Sequence, residues 1–131
     1  MTTYTYYQEL VRPSWAPPAW LFGPVWTALY AIIIASFGKV FWMAWHKEVP
    51  AMVAVPFALN LVFNLSYTWL QFGLRSNVLA SIDVLLVLGT LVWAMVAIWP
   101  YVRWVVYANV PYLLWVSFAT VLQLTITFLN R

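Results

Sequence analysis

Four long apolar runs, at roughly residues 21–45, 50–72, 78–100 and 104–129, are separated only by brief polar marks. Each run is at least as long as the ~20 helical residues that cross a bilayer core of ~30 Å. The marks are His46-Lys47-Glu48, Arg75-Ser76-Asn77 and Arg103 close behind Pro100. Transmembrane strands are the competing way to span, but they need only about 9–11 residues and alternate in polarity, whereas these runs are continuously apolar. The composition agrees: 66% of residues are hydrophobic and 7% charged, against about 25% charged in soluble domains. The expected fold is therefore an all-α, multi-pass integral membrane protein, a bundle of four transmembrane helices forming one domain over residues 1–131. Residues 1–12 lack the basic start and apolar centre of a signal peptide, so the first span is expected to stay in the mature chain.

The segment before the first span is unusual. Pro13, Pro17, Pro18 and Pro24 each fix their own φ and push the preceding residue away from the helical region. With Trp15, Trp20 and Phe22 among them, residues 1–20 read as a tail and a stiff, Pro/Trp-rich N-terminal lid, extended until about Pro24. Pro24 itself fits the first turn of the following helix.

Several functions are excluded early. The chain has no cysteine, so disulfides, thiolate chemistry and iron–sulfur ligation are out, and the single histidine, His46, has no ligand set around it. No cofactor is required by any residue pattern. A net charge of +3 spread over the loops forms no cluster that would hold nucleic acid, and affinity for lipid headgroups accounts for it. Charge does not orient the chain either: Arg12, Arg75 and Arg131 on one side balance Lys39, Lys47 and Arg103 on the other. No carboxylate pair, nucleophile–base set or metal cluster is visible, so an enzyme in the usual sense is not expected.

The helices do carry a patterned interior. Phe22, Trp26, Tyr30 and Phe37 share one face of the first span, and Asn60, Asn64, Tyr67, Thr68 and Gln71 form a polar stripe on the second. Side-chain amides in hydrocarbon must find partners, so this stripe should face inward, either lining a site or joining helices. On the last span Trp115, Ala119 and Leu122 share a face, with Ala119 leaving room. Together they suggest an aromatic-walled cavity with a few amide and hydroxyl groups, fit for a flat, largely apolar ligand with polar edges. Trp42, Trp45, Trp69, Trp99 and Trp104 lie near span ends and read as interfacial anchors. Asp83 is the acid inside a span; it follows Asn77 by six residues, about 9 Å of helix, which places it near the interface.

The string over residues 15–30, W-x-P-P-x-W-x-F-G-P-V-W-x-x-L-Y, resembles the signature of the translocator protein family, the tryptophan-rich sensory proteins (TspO/MBR), also known as peripheral benzodiazepine receptors. Residues 60–75, NLVFNLSYTWLQFGLR, and 111–130, PYLLWVSFATVLQLTITFLN, resemble the family's third and last helices, with Tyr67 in a Trp place, Gln123 where Asn is usual and Thr127 where Trp is usual. Family members usually have five spans, so the resemblance implies the five-helix fold minus its first helix, with a homodimer, or a subunit of a larger membrane complex, as the assembly. It implies a cavity for porphyrins, sterols or benzodiazepine-type compounds, and so a bound porphyrin or haem precursor as the ligand. The positions that match are Pro17, Phe22, Trp26, Tyr30, Asn64, Tyr67, Thr68, Trp115, Ala119 and Leu122, with Tyr7 as a further aromatic contact from the tail. Trp26 and Trp115 match the tryptophans tied in some bacterial members to light-dependent porphyrin breakdown. A sterol-type pattern occurs at Val96, Tyr101 and Arg103, while no Tyr follows Val121 at the family's own sterol position. Two functions follow: binding of a tetrapyrrole-like ligand for sensing, transport or disposal, or a structural subunit that docks its apolar faces into a larger assembly. The membrane is a bacterial envelope membrane or an organelle membrane.

Overall fold

The computed structural model describes residues 14–16, 19–68, 70, 74 and 76–130, the side chains of Ala19 and Thr68 excepted. Within that set the chain is helical and contains no strand. A single 3-10 turn over Ala19–Leu21 leads into α1 (Phe22–Trp45), followed by α2 (Ala51–Thr68), α3 (Asn77–Ile98), the short α4 (Arg103–Ala108) and α5 (Val110–Leu129). Helices α1, α3 and α5 are each long and apolar enough to cross a membrane, and α2 is a shorter apolar helix. At 18 residues α2 rises about 27 Å, close to the ~30 Å core. The protein is a multi-pass helical membrane protein.

Two boundaries differ from the sequence expectation. The chain is already helical at Ala19, five residues before Pro24. Pro24 sits third in α1, where its missing N–H is one of the four that have no helical partner anyway. The last apolar run is divided at Asn109, between α4 and α5. The cause is Pro111, whose ring would clash with the carbonyl four residues earlier, at Tyr107, and which has no N–H to give it. The Asn109 backbone N–H instead bonds the Val105 and Val106 carbonyls at 3.2 and 3.1 Å.

The helix ends are closed by local chemistry. After α1, Lys47 N–H reaches the Ala44 carbonyl and Glu48 N–H reaches the Met43 carbonyl, at 3.2 and 2.8 Å. That is a Schellman motif, and it places Lys47 at φ 59°, a left-handed position normally given to glycine. At the start of α3, the Ser76 hydroxyl accepts from Leu79 N–H at 3.1 Å and caps the helix.

Helix α3 is the hub, packing extensively on both α2 and α5. Its buried face runs Ala80, Val84, Val87, Leu91, Ala94 and Ile98, small and branched residues that let neighbours approach closely in a membrane. The core below α1 centres on Phe37 and Phe57, edge to face at 4.8 Å and 89°. Asn109, fully buried, donates from Nδ2 to Ser36 Oγ at 2.9 Å and ties the α4–α5 junction to α1.

Candidate functional site

The start of α1 runs antiparallel to the first half of α5, and the two faces are aromatic. Phe22, Trp26 and Tyr30, spaced one turn apart, are all half-buried. Phe22 meets Trp115 at 6.0 Å and 73°, and Trp26 lies 5.5 Å from Tyr30 at 36°. Trp26 also meets the edge of Tyr112 at 6.4 Å. Phe118 continues the wall, 5.6 Å from Trp115 and 5.8 Å from Trp15, which reaches in from the segment before α1. Beneath it Leu122 and Ile126 are buried against Ala16, Phe22 and Phe118.

The polar stripe of α2 faces inward. Tyr30 donates to Asn64 Oδ1 at 2.7 Å, and Asn64 Nδ2 donates to the Tyr112 hydroxyl at 2.7 Å. Tyr112 in turn donates to Asn60 Oδ1 at 2.8 Å. Asn60 Nδ2 then donates to the Val87 carbonyl at 2.9 Å and to Thr90 Oγ1 at 3.2 Å. A continuous chain of hydrogen bonds thus joins α1, α2, α5 and α3, and Asn60, Asn64 and Tyr112 within it are buried. One turn on, Tyr67 donates to Gln123 Oε1, and Gln123 Nε2 donates to Thr127 at 3.2 Å.

The sequence-level residues therefore separate into groups. Phe22, Trp26, Tyr30, Asn64, Tyr67, Trp115 and Leu122 come together at one end of the bundle. Ala119, half-buried, stands one turn beyond Trp115 on α5. Phe37 departs from the cavity wall; it is fully buried in the core against Phe57. Pro17, Tyr7, Gln71, Trp69 and the Thr68 side chain lie outside the described residues. Asp83 is buried on α3, six residues after its first residue Asn77, and its Oδ2 has no hydrogen-bond partner among the described residues. The indole N–H of Trp115 is likewise buried without an acceptor among them.

Two contributors were not singled out from the sequence. Tyr112 is the junction of the hydrogen-bonded chain, and Phe118 extends the aromatic wall. The available signal was spacing: Tyr112 precedes Trp115 by three residues and Phe118 follows it by three, which puts all of them on one helical side.

Of the tryptophans near span ends, Trp42 and Trp45 lie at the far end of α1, and Trp99 and Trp104 flank the start of α4. Trp42, Trp45, Trp99 and Trp104 are exposed. Lys39 stands 4.6 Å over the Trp42 ring and Arg103 stands 4.8 Å over Trp99, cation–π pairs suited to a headgroup region.

The sequence profile of the TspO/MBR family matches residues 1–129. The chain belongs to the TspO/MBR family. It is 39% identical over 92 residues to the tryptophan-rich protein TspO of Chlorobaculum tepidum, covering 70% of this chain and 58% of that relative. It is 34% identical over 103 residues to the human translocator protein, again covering 70% of this chain and 58% of the relative. The Bacillus subtilis membrane protein YtaB is 30% identical over 125 residues, covering 95% of this chain and 80% of the relative. The chain spans 52% to 58% of the length of three tryptophan-rich TspO relatives that it matches. In this family member the lid signature and both helix motifs converge, since Trp15, Phe22, Trp26, Asn64 and Trp115 all belong to the end of the bundle just described.

Proposed function

We propose that this TspO/MBR-family membrane protein binds a flat, hydrophobic, polar-edged molecule of the tetrapyrrole class between α1 and α5, for sensing, transport or disposal. The observation that carries the reading is the aromatic wall of Phe22, Trp26, Trp115 and Phe118, with polar groups at its inner edge in Tyr30, Asn64 and Tyr67. Ring faces hold an apolar plane by area and by stacking, and the few polar groups fix its orientation. Names among the relatives, tryptophan-rich protein and translocator protein, accord with a sensory or transport role.

The test is titration of the detergent-purified protein with protoporphyrin IX, followed by tryptophan quenching and the Soret band. Saturable binding in the micromolar range or tighter is expected, weakened about two- to thirteenfold in each of Trp26→Phe and Trp115→Phe, the range that an aromatic contact of ~0.5–1.5 kcal/mol implies. Binding that fails to saturate, or that both variants leave untouched, would show that the aromatic wall is packing and not a ligand site.

A further inference from the structure

The hydrogen-bonded chain from α3 to Tyr30 has a direction, and the direction is fixed at its buried end. The Val87 carbonyl can only accept, so the Asn60 group 2.9 Å from it must be Nδ2. Asn60 therefore turns Oδ1 toward Tyr112, 2.8 Å away, and Tyr112 must spend its one proton there. The Tyr112 oxygen is then left to accept, so Asn64 must present Nδ2 to it at 2.7 Å. This leaves Asn64 Oδ1 facing Tyr30, and Tyr30 must donate inward at 2.7 Å. Reversing any one amide sets two acceptors against each other among Asn60, Asn64 and Tyr112, each at least 95% buried, where no water can take the place of the lost bond. The backbone carbonyl of Val87 thus decides the orientation of both amides.

We infer that Tyr30 is a specificity-determining residue whose hydroxyl, its proton committed to Asn64, offers a bound ligand only an acceptor, so that a ligand edge hydrogen-bonded there must carry an N–H or O–H, while a rim without one, such as the hydrocarbon rim of protoporphyrin IX, is held beside it by the rings alone. The inference rests on the ligand site proposed above, because Tyr30 is half-buried beside Trp26 in that aromatic wall. Asn64 acts as a positioning residue: it does not select the ligand itself but dictates which way the Tyr30 proton points. The selection is strong for a physical reason. A ligand oxygen placed against Tyr30 meets lone pairs, and the tyrosine cannot turn to donate without leaving buried Asn64 Oδ1 unpaired.

Carbazole and dibenzofuran test this, being flat tricycles of nearly one shape in which an N–H of the first is replaced by a ring oxygen in the second. Each is used to displace bound protoporphyrin IX, read in the Soret band, from the wild-type protein, Tyr30→Phe and Asn64→Leu. Carbazole is expected to be about tenfold the better competitor in the wild type. The ratio should fall to about one in Tyr30→Phe, and should fall in Asn64→Leu through a gain by dibenzofuran, because the freed Tyr30 proton can now be donated to it. A purely structural role for Asn64 would weaken both competitors alike and leave the ratio unchanged, which would overturn its part. Should Asn64→Leu not fold, the Tyr30→Phe ratio decides. Equal competition in the wild type, a preference for dibenzofuran, a ratio that survives Tyr30→Phe, or displacement by neither tricycle would each overturn the inference while porphyrin binding keeps the site itself intact. Failure of protoporphyrin IX to bind at all would remove the site and the inference together.

Discussion

At the scale of single residues, the same kind of hydroxyl has very different weight in different places. Ser66 bonds the Val62 carbonyl of its own helix at 2.7 Å, whereas the Tyr112 hydroxyl joins α5 to two asparagines of α2. Tyr112→Phe removes one oxygen and leaves Asn60 Oδ1 and Asn64 Nδ2 without partners in a site that has no solvent access. Interhelical hydrogen bonds in membranes average about 0.6 kcal/mol and reach ~1.7, so breaking two buried ones is expected to cost about 1–2 kcal/mol. Ser66→Ala should change stability by less than about 0.5 kcal/mol. Unfolding of both variants in the same detergent checks the contrast, and equal effects would mean that the chain is not a structural junction. The inward turn of Asn60, Asn64 and Tyr67 was legible from their spacing and from the cost of bare amides in hydrocarbon. Tyr112 was not, because nothing within its own apolar run points to asparagines of another helix as its partners. Only the packing of α1 against α5 shows that it is buried.

At the scale of elements, helix ends respond to residue chemistry in a way that span-level reading does not see. Lys47 holds the left-handed position of the Schellman motif after α1. A side chain bearing Cβ is disfavoured there by about 1 kcal/mol, and glycine is not. Lys47→Gly is therefore expected to stabilise the protein by up to ~1 kcal/mol, seen as a higher unfolding midpoint; a lower midpoint would mean that the lysine makes a compensating interaction. Ser76→Ala should act in the opposite direction, costing about 1 kcal/mol by uncapping α3, with Ser76→Asp retaining most of the stability. The four apolar runs announced the helices because length and hydropathy set them directly. The break at Asn109 was carried by one residue, Pro111, inside a run whose hydropathy is uninterrupted, so a reading by hydropathy passed over it. The early helical turn at Ala19 was hidden for the converse reason: the prolines that disfavour helix there act on their neighbours, and Ala19–Leu21 lie just beyond the last of them before Pro24.

At the scale of the whole molecule, the bundle is uneven in a way that bears on ligand binding. Helix α3 is gripped on two sides by α2 and α5, while α1 meets the rest across a smaller contact. Over Phe22–Tyr30 that contact includes the ring edges at Phe22 and Trp26, buried Leu29 and the Tyr30–Asn64 bond. Side chains meeting edge to face leave α1 easier to detach locally than α3, so its start should show lower protection against hydrogen exchange. A ligand held between α1 and α5 adds contact where it is scarcest. By mass action, protoporphyrin IX at about 100 times its dissociation constant would stabilise the bound state by ~2.7 kcal/mol. Most of that gain should appear as slowed exchange over the first turns of α1 and the Trp115 turn of α5, with α3 unchanged. Ala119→Phe provides the control, because Ala119 is small and half-buried one turn beyond Trp115. A phenyl ring there occupies the ligand's space, so the variant should fold, fail to bind, and show already slowed exchange at the start of α1 that the porphyrin does not increase. Protection gained equally by all helices on porphyrin addition, or retained binding in Ala119→Phe, would place the ligand elsewhere on the bundle.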